Sequence, residues 1–171
     1  MALLEIVTYP DPRLKKVCQP VEEVDEEIKS LISDMAETMY AAPGVGLAAP
    51  QVGELKRVLV CDATPKDQPR RLIALVNPEI VEEEGSISME EGCLSCPEIQ
   101  VEVPRAARIK VRGLDAEGRS VTLEAEDLLA VVLQHEIDHL DGGLIVDHLS
   151  SLKRNLYRRQ RKKAKTEDRA A

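Results

Sequence analysis

Apolar residues Ile28, Leu31, Ile32, Met35 and Met39 recur at helical spacing and predict an amphipathic helix with one buried face. Asp25 is its predicted cap, Glu26 and Glu27 suit the positive end of the helix dipole, and the helix should stop before Pro43. Pro43-Gly44-Val45-Gly46 predicts a turn or loop whose two glycines permit backbone shapes and close approaches that a side chain would forbid. Short β-rich runs follow at 57–61, 72–76, 79–83, 100–103, 108–112 and 119–125, several of them alternating apolar and polar residues. Residues 114–118 between the last two read as a hairpin turn. A second helix is expected over about 127–141, apolar on most of its surface and stopped by Gly142. Residues 144–147 look strand-like, and Ser150 is the predicted cap of a last helix carrying Leu152 and Leu156. Strands joined by hairpins rather than by helical crossovers predict an α+β fold with antiparallel sheet.

The 171 residues form about one domain's worth of chain, with 43% hydrophobic and 32% charged positions, which excludes disordered and disulfide-scaffold classes. Three Tyr and no Phe or Trp leave the core to aliphatic residues and remove the aromatic platforms on which single-stranded nucleic acid stacks. No apolar run is long enough to span a membrane, and Met1-Ala2-Leu3-Leu4-Glu5 reaches an acid too early for a secretory signal, so the expected location is cytoplasmic. Four unevenly spaced cysteines then read as reduced thiols with chemical or metal-binding roles. The net charge of −8 is unevenly spread, because nine Lys or Arg against two acids give residues 152–171 a local +7. The acidic remainder argues against general nucleic-acid affinity, and the basic segment suits either a polyanion or a solvated helix.

His135-Glu136-Ile137-Asp138-His139 is an H-E-x-x-H motif on the second helix. Four residues return to nearly the same helical direction, so both imidazoles can bind one metal ion, while Glu136 lies about 100° round and can reach a water beside it. Two histidines satisfied by core carbonyls are the plain alternative, but two imidazoles and a carboxylate on an apolar helix are costly to bury without a partner. A catalytic metal needs a third ligand and an open position. A metzincin peptidase would place histidine where Ile145 stands, and the next downstream glutamate is Glu167 in the basic segment, so the third ligand is sought upstream. Cys93 is the natural candidate, since a thiolate with two imidazoles suits iron or zinc. Cys96 completes a C-x-x-C with Cys93, which leaves open a closed structural zinc module built from Cys93, Cys96, His135 and His139, whereas a thioredoxin-like redox motif would need to open a helix in a βαβ setting that this region lacks; an H-E-x-x-H zinc peptidase is the other alternative.

Three ordered segments, Gly44-Val45-Gly46-Leu47-Ala48-Ala49-Pro50-Gln51, Glu91-Gly92-Cys93-Leu94-Ser95 and Gln134-His135-Glu136-Ile137-Asp138-His139-Leu140, resemble the signature motifs of peptide deformylase. The similarity runs from Tyr9-Pro10-Asp11-Pro12-Arg13-Leu14 to the last helix. The resemblance implies an iron-dependent amide hydrolase of the bacterial type, with antiparallel sheets around the H-E-x-x-H helix. It implies removal of the formyl group from N-formylmethionyl nascent peptides, with release of formate. One divalent ion, Fe2+ with Zn2+ or Ni2+ as substitutes, is implied at Cys93, His135 and His139. Glu136 becomes the general base and then acid, and the Gln51 amide and Leu94 backbone N–H become donors to the developing oxyanion. Val45, Met89 and Val131 are implied as lining for the methionine slot, Gly46 as a backbone partner of the peptide, and Glu91 with Arg105 as an ion pair supporting the metal loop. The chain is expected to act as a monomer without membrane or sequence-specific nucleic-acid partners. Residues 1–151 are read as one catalytic domain, and 152–171 as a basic C-terminal helix that, in some bacterial members, binds the ribosome. Two positions depart from the family pattern: Cys96 replaces an aliphatic residue, and Gln100 a basic residue of some members.

Overall fold

The computed structural model describes residues 2–170. The first helix, α1 (Glu26–Ala41), is capped as expected, with the Asp25 carboxylate accepting from the Ile28 N–H at 3.0 Å. Past its end, the Gly44 N–H donates back to the Met39 carbonyl at 2.7 Å, turning the chain toward the first strand. Ile28, Ile32, Met35 and Met39 are buried with Leu47, Val58, Val60 and Val76, so the apolar stripe of α1 covers one face of a sheet.

That sheet has five antiparallel strands in the order β1 (Gly46–Ala48), β2 (Val58–Cys61), β3 (Ile73–Glu84), β6 (Arg108–Leu114), β7 (Ser120–Glu126). A separate hairpin joins β4 (Ile87–Cys93) to β5 (Cys96–Arg105). The expected turn at 114–118 closes the β6–β7 hairpin, where the Asp115 carboxylate accepts from the Glu117 and Arg119 N–H groups, both at 2.9 Å.

The structure departs from the sequence expectations at four places. The runs at 72–76 and 79–83 are one strand, β3, which passes through an irregularity at Asn77 and Pro78. Asn77 takes a positive φ of 52°, and its amide makes two bonds of 2.8 Å with the Val21 backbone, so the break in the ladder is satisfied from outside the sheet. Residues 144–147 form no strand; Ile145–His148 is a 3-10 turn, closed by the Asp147 carboxylate on the Leu144 N–H at 2.9 Å. Strand β1 starts at Gly46, the last residue of the expected turn or loop, and continues to Ala48, while β4 occupies 87–93, where no strand is expected from the sequence.

The second helix, α2 (Asp127–Leu140), lays Ala130, Leu133, Ile137 and Leu140 on Leu59, Leu75, Ile109, Val111 and Ala125 of the five-stranded sheet. Gly142 ends it with φ 81°, and a Cβ there would come within 2.5 Å of the Lys15 carbonyl oxygen, so glycine is required on both counts. The β4–β5 hairpin has its own core, in which Cys96, Val101 and Val103 meet Val7, Tyr9, Leu14, Ile145 and Tyr157. Tyr157 belongs to α3 (Ser151–Ala170), whose first turn is capped by Ser150 Oγ, accepting from the Lys153 N–H at 3.3 Å. Leu152 and Leu156 stay exposed on that helix. Among the described residues, no helix is long and apolar enough to cross a membrane.

Candidate metal centre

Two pieces of chain meet at the site: the end of β4, which brings Cys93, and the inner face of α2, which brings His135 and His139 one turn apart. One donor atom from each lies within 4.8 Å of the others. His139 Nε2 is 3.4 Å from Cys93 Sγ and 3.1 Å from His135 Nε2. His135 Nδ1 is 2.9 Å from a Glu91 carboxylate oxygen, which holds the ring proton on Nδ1 and leaves the Nε2 lone pair facing His139. Lone pairs so close repel unless a cation or proton lies between them, and sulfur with two imidazole nitrogens is a donor set for a divalent transition metal. The site therefore fits a metal ion by the chemistry of its own atoms. Cys96 is not a member of this cluster; its side chain is buried in the hairpin core, which removes the four-ligand closed arrangement.

The histidine orientation rests on a buried ion pair. Arg105 holds Glu91 through two bonds, Nε at 2.7 Å and Nη2 at 2.9 Å, and reaches Asp138 with Nη1 at 2.7 Å. Asp138 is an unanticipated partner: it was legible only as a variable position of the motif, yet it ties Arg105 to the same helix that carries both histidines.

Glu136 is buried, with each carboxylate oxygen 4.0 Å from one histidine Nε2, and Oε1 has no hydrogen-bond partner. Burial pushes its carboxyl up to about 7, against the pull of His135 and Arg105. A cation among the adjacent donors would draw it back down. Gly46 makes room for it: a Cβ at position 46 would lie 2.4 Å from Glu136 Oε2. Burial, His135 and Arg105 hold the His139 imidazole well below its ordinary value, keeping it neutral as a ligand must be. Burial opposes charge on His135, but Glu136, Cys93 and Glu91 outweigh it and raise that imidazole. The hydrogen bond with Cys96, and then burial, raise the Cys93 thiol with protein groups alone, a balance that a coordinated cation inverts.

Gln51 is almost fully buried, and its amide is held from two sides. Its Oε1 accepts from the Ala48 N–H at 2.9 Å, while Nε2 donates to Ser95 Oγ at 3.1 Å and points at Cys93 Sγ, 3.6 Å away. Ser95, also fully buried, was not singled out by sequence; its only signal is a small polar residue inside the C-x-x-C turn. A cavity of about 830 Å3 opens onto the site, and Val45, Gly46, Gln51, Met89, Glu91, Cys93, Leu94, Val131, His135 and Glu136 all border it. Arg105 and His139 lie behind this lining, and Val45 stands half exposed at the cavity.

A family model described as polypeptide deformylase matches residues 3–155. A peptide deformylase of Thermodesulfovibrio yellowstonii is 52% identical over 165 residues, covering 96% of this chain and all of that protein. One from Desulfotalea psychrophila is 54% identical over 164 residues, covering 95% of this chain and 97% of that one. Among solved structures, the Ehrlichia chaffeensis peptide deformylase in complex with actinonin aligns with a TM-score of 0.91 at 40% identity, over 96% of this chain and 98% of that chain. The Legionella pneumophila peptide deformylase aligns with a TM-score of 0.89 at 46% identity, over 99% of both chains. Agreement of this extent in sequence and backbone, around a site whose donor atoms suit a metal, shows that the chain belongs to the polypeptide deformylase family, hydrolases that remove the formyl group from N-formylmethionine of nascent peptides.

Proposed function

We propose that Cys93, His135 and His139 bind one ferrous ion, for which zinc or nickel can substitute, and that Glu136 is the proton carrier for hydrolysis of the formyl amide. The observation carrying this reading is the buried Glu136 carboxylate, unpaired at Oε1 and 4.0 Å from both ligand nitrogens. A divalent ion at such a site makes a coordinated water acidic near neutral pH and draws electron density from a carbonyl oxygen. Glu136 takes a proton from the attacking water and returns it to the departing amine, so that the leaving group is neutral. The Gln51 amide, oriented by Ala48 and Ser95, and the Leu94 backbone N–H donate to the oxygen on which charge develops, each donor contributing about 3 kcal/mol. Val45, Met89 and Val131 line the slot for the methionine side chain, and the Gly46 backbone pairs with the peptide. Glu91 and Arg105 fix the His135 ring from behind.

The body, residues 1–151, carries the chemistry as a monomer in the cytoplasm, and the basic segment, 152–171, docks on the ribosome where nascent chains emerge. The +7 charge of that segment, set against an acidic body, supports the docking role.

The test is formate release from a formyl-Met peptide by protein loaded without oxygen with ferrous iron or nickel, beside Glu136→Ala. Loss of about 10²–10⁴-fold in turnover with the metal retained is the expected result. One metal per chain without turnover in the wild type would instead assign the cluster a structural role.

A further inference from the structure

Cys96, one of the two residues that depart from the family pattern, stands directly across from Cys93. Cys93 ends β4 and Cys96 begins β5, and the two are register partners across the two-residue turn Leu94-Ser95. Directly opposed residues of an antiparallel pair point to the same side with Cα atoms about 4.5–5.5 Å apart, within the span of a disulfide. Both residues border the active-site cavity, and Cys93 is partly exposed there, within reach of a small oxidant. The other two cysteines, Cys18 and Cys61, are buried in the core between α2 and the five-stranded sheet.

We propose that Cys96 is a resolving thiol for Cys93, making this turn a reversible oxidation site for hydrogen peroxide. The Cys93 sulfur gives two electrons to the peroxide O–O bond, which breaks to leave a sulfenic acid and one molecule of water. The Cys96 sulfur then attacks the Cys93 sulfur, the S–O bond breaks, and the hydroxyl departs with the Cys96 proton as a second water. The resulting disulfide withdraws Cys93 from the metal site and halts turnover. It also keeps that sulfur from the irreversible sulfinic and sulfonic states, so a dithiol reductant restores the ligand. The consequence for activity rests on the reading of Cys93 as a metal ligand; the chemistry of the pair does not.

The experiment uses the full-length zinc-loaded enzyme, with metal content measured before hydrogen peroxide is added. Thiols are then counted in denaturant, the intact mass and cysteine peptides are mapped, released zinc is measured, and dithiothreitol and fresh zinc are supplied. For the wild type we expect two of the four thiols to be lost, the mass to fall by ~2 Da within the 93–96 turn, zinc to be released, and activity to return on reduction. In Cys96→Val and Cys96→Ala, Cys93 should gain ~32 Da as sulfinic acid, and dithiothreitol should not recover it. Oxygen adducts on wild-type Cys93 at the rate seen in the variants, or a disulfide joining other cysteines, would overturn the proposal, and the wild-type map decides this even if a variant does not fold. Absence of bound zinc before oxidation would count against the ligand assignment alone.

Discussion

Helices α2 and α3 are attached to the molecule in opposite ways. Ten of the fourteen residues of α2 are buried, including His135, Glu136 and His139, so nearly every position is fixed by what surrounds it. Along α3, Tyr157 is the only buried side chain among those described. It stacks on Tyr9 with ring centroids 5.7 Å apart and donates to the Pro97 carbonyl at 2.7 Å. Arg161 and Lys165 add bonds to the Thr8 and Tyr9 backbone. A helix that places reacting groups must be immobile, and burial supplies that at the cost of burying polar atoms that then need partners. A helix that presents charge needs only an anchor.

The sharpest way to break the contrast is Arg105→Ala, which strands Glu91 and unties Asp138 behind α2. It should cost about 3–5 kcal/mol of stability, read by urea denaturation, and weaken metal retention. Next is a pH effect in metal-free protein. Glu136 is raised from 4.5 to about 7 in the folded state, so the unfolded chain gives up this proton first as pH rises. Stability on its account is present below the unfolded value and is lost as pH climbs through the folded one. Glu136→Gln should therefore be more stable than wild type by up to about 3 kcal/mol near pH 8, with the gap closing toward about pH 4. Gly46→Ala should push Glu136 out of line and lower kcat about a hundredfold while metal content stays normal. The smallest change falls on α3: Tyr157→Phe removes one hydrogen bond and should cost about 1 kcal/mol in thermal unfolding, leaving kcat unchanged.

Sequence served the two helices differently for the same reason. His135, Glu136 and His139 were legible because helical spacing alone dictates that they converge, and α1 was legible down to its Asp25 cap. What escaped depended on distant partners. Asn77 keeps β3 in one piece only because the Val21 backbone meets its amide, a contact spanning 56 positions. Asp138 joins Arg105 only once β5 lies beside α2. The 3-10 turn at Ile145–His148 buries Ile145 and Val146 as a strand would, so burial pattern could not separate the two.

The joining of Tyr157 and Arg161 to the Thr8–Tyr9 segment also bears on the order of the chain's own making. Arg161 reaches back 152 positions to the Tyr9 carbonyl, and the hairpin that carries Cys93 shares its core with both Tyr9 and Tyr157. During synthesis Tyr9 must wait for Arg161, 152 positions later, before this contact can form. The hairpin's core is complete only once α3 has been made, so the thiol at its tip gains its full surroundings only after residues about 150 positions downstream of Tyr9 have left the ribosome.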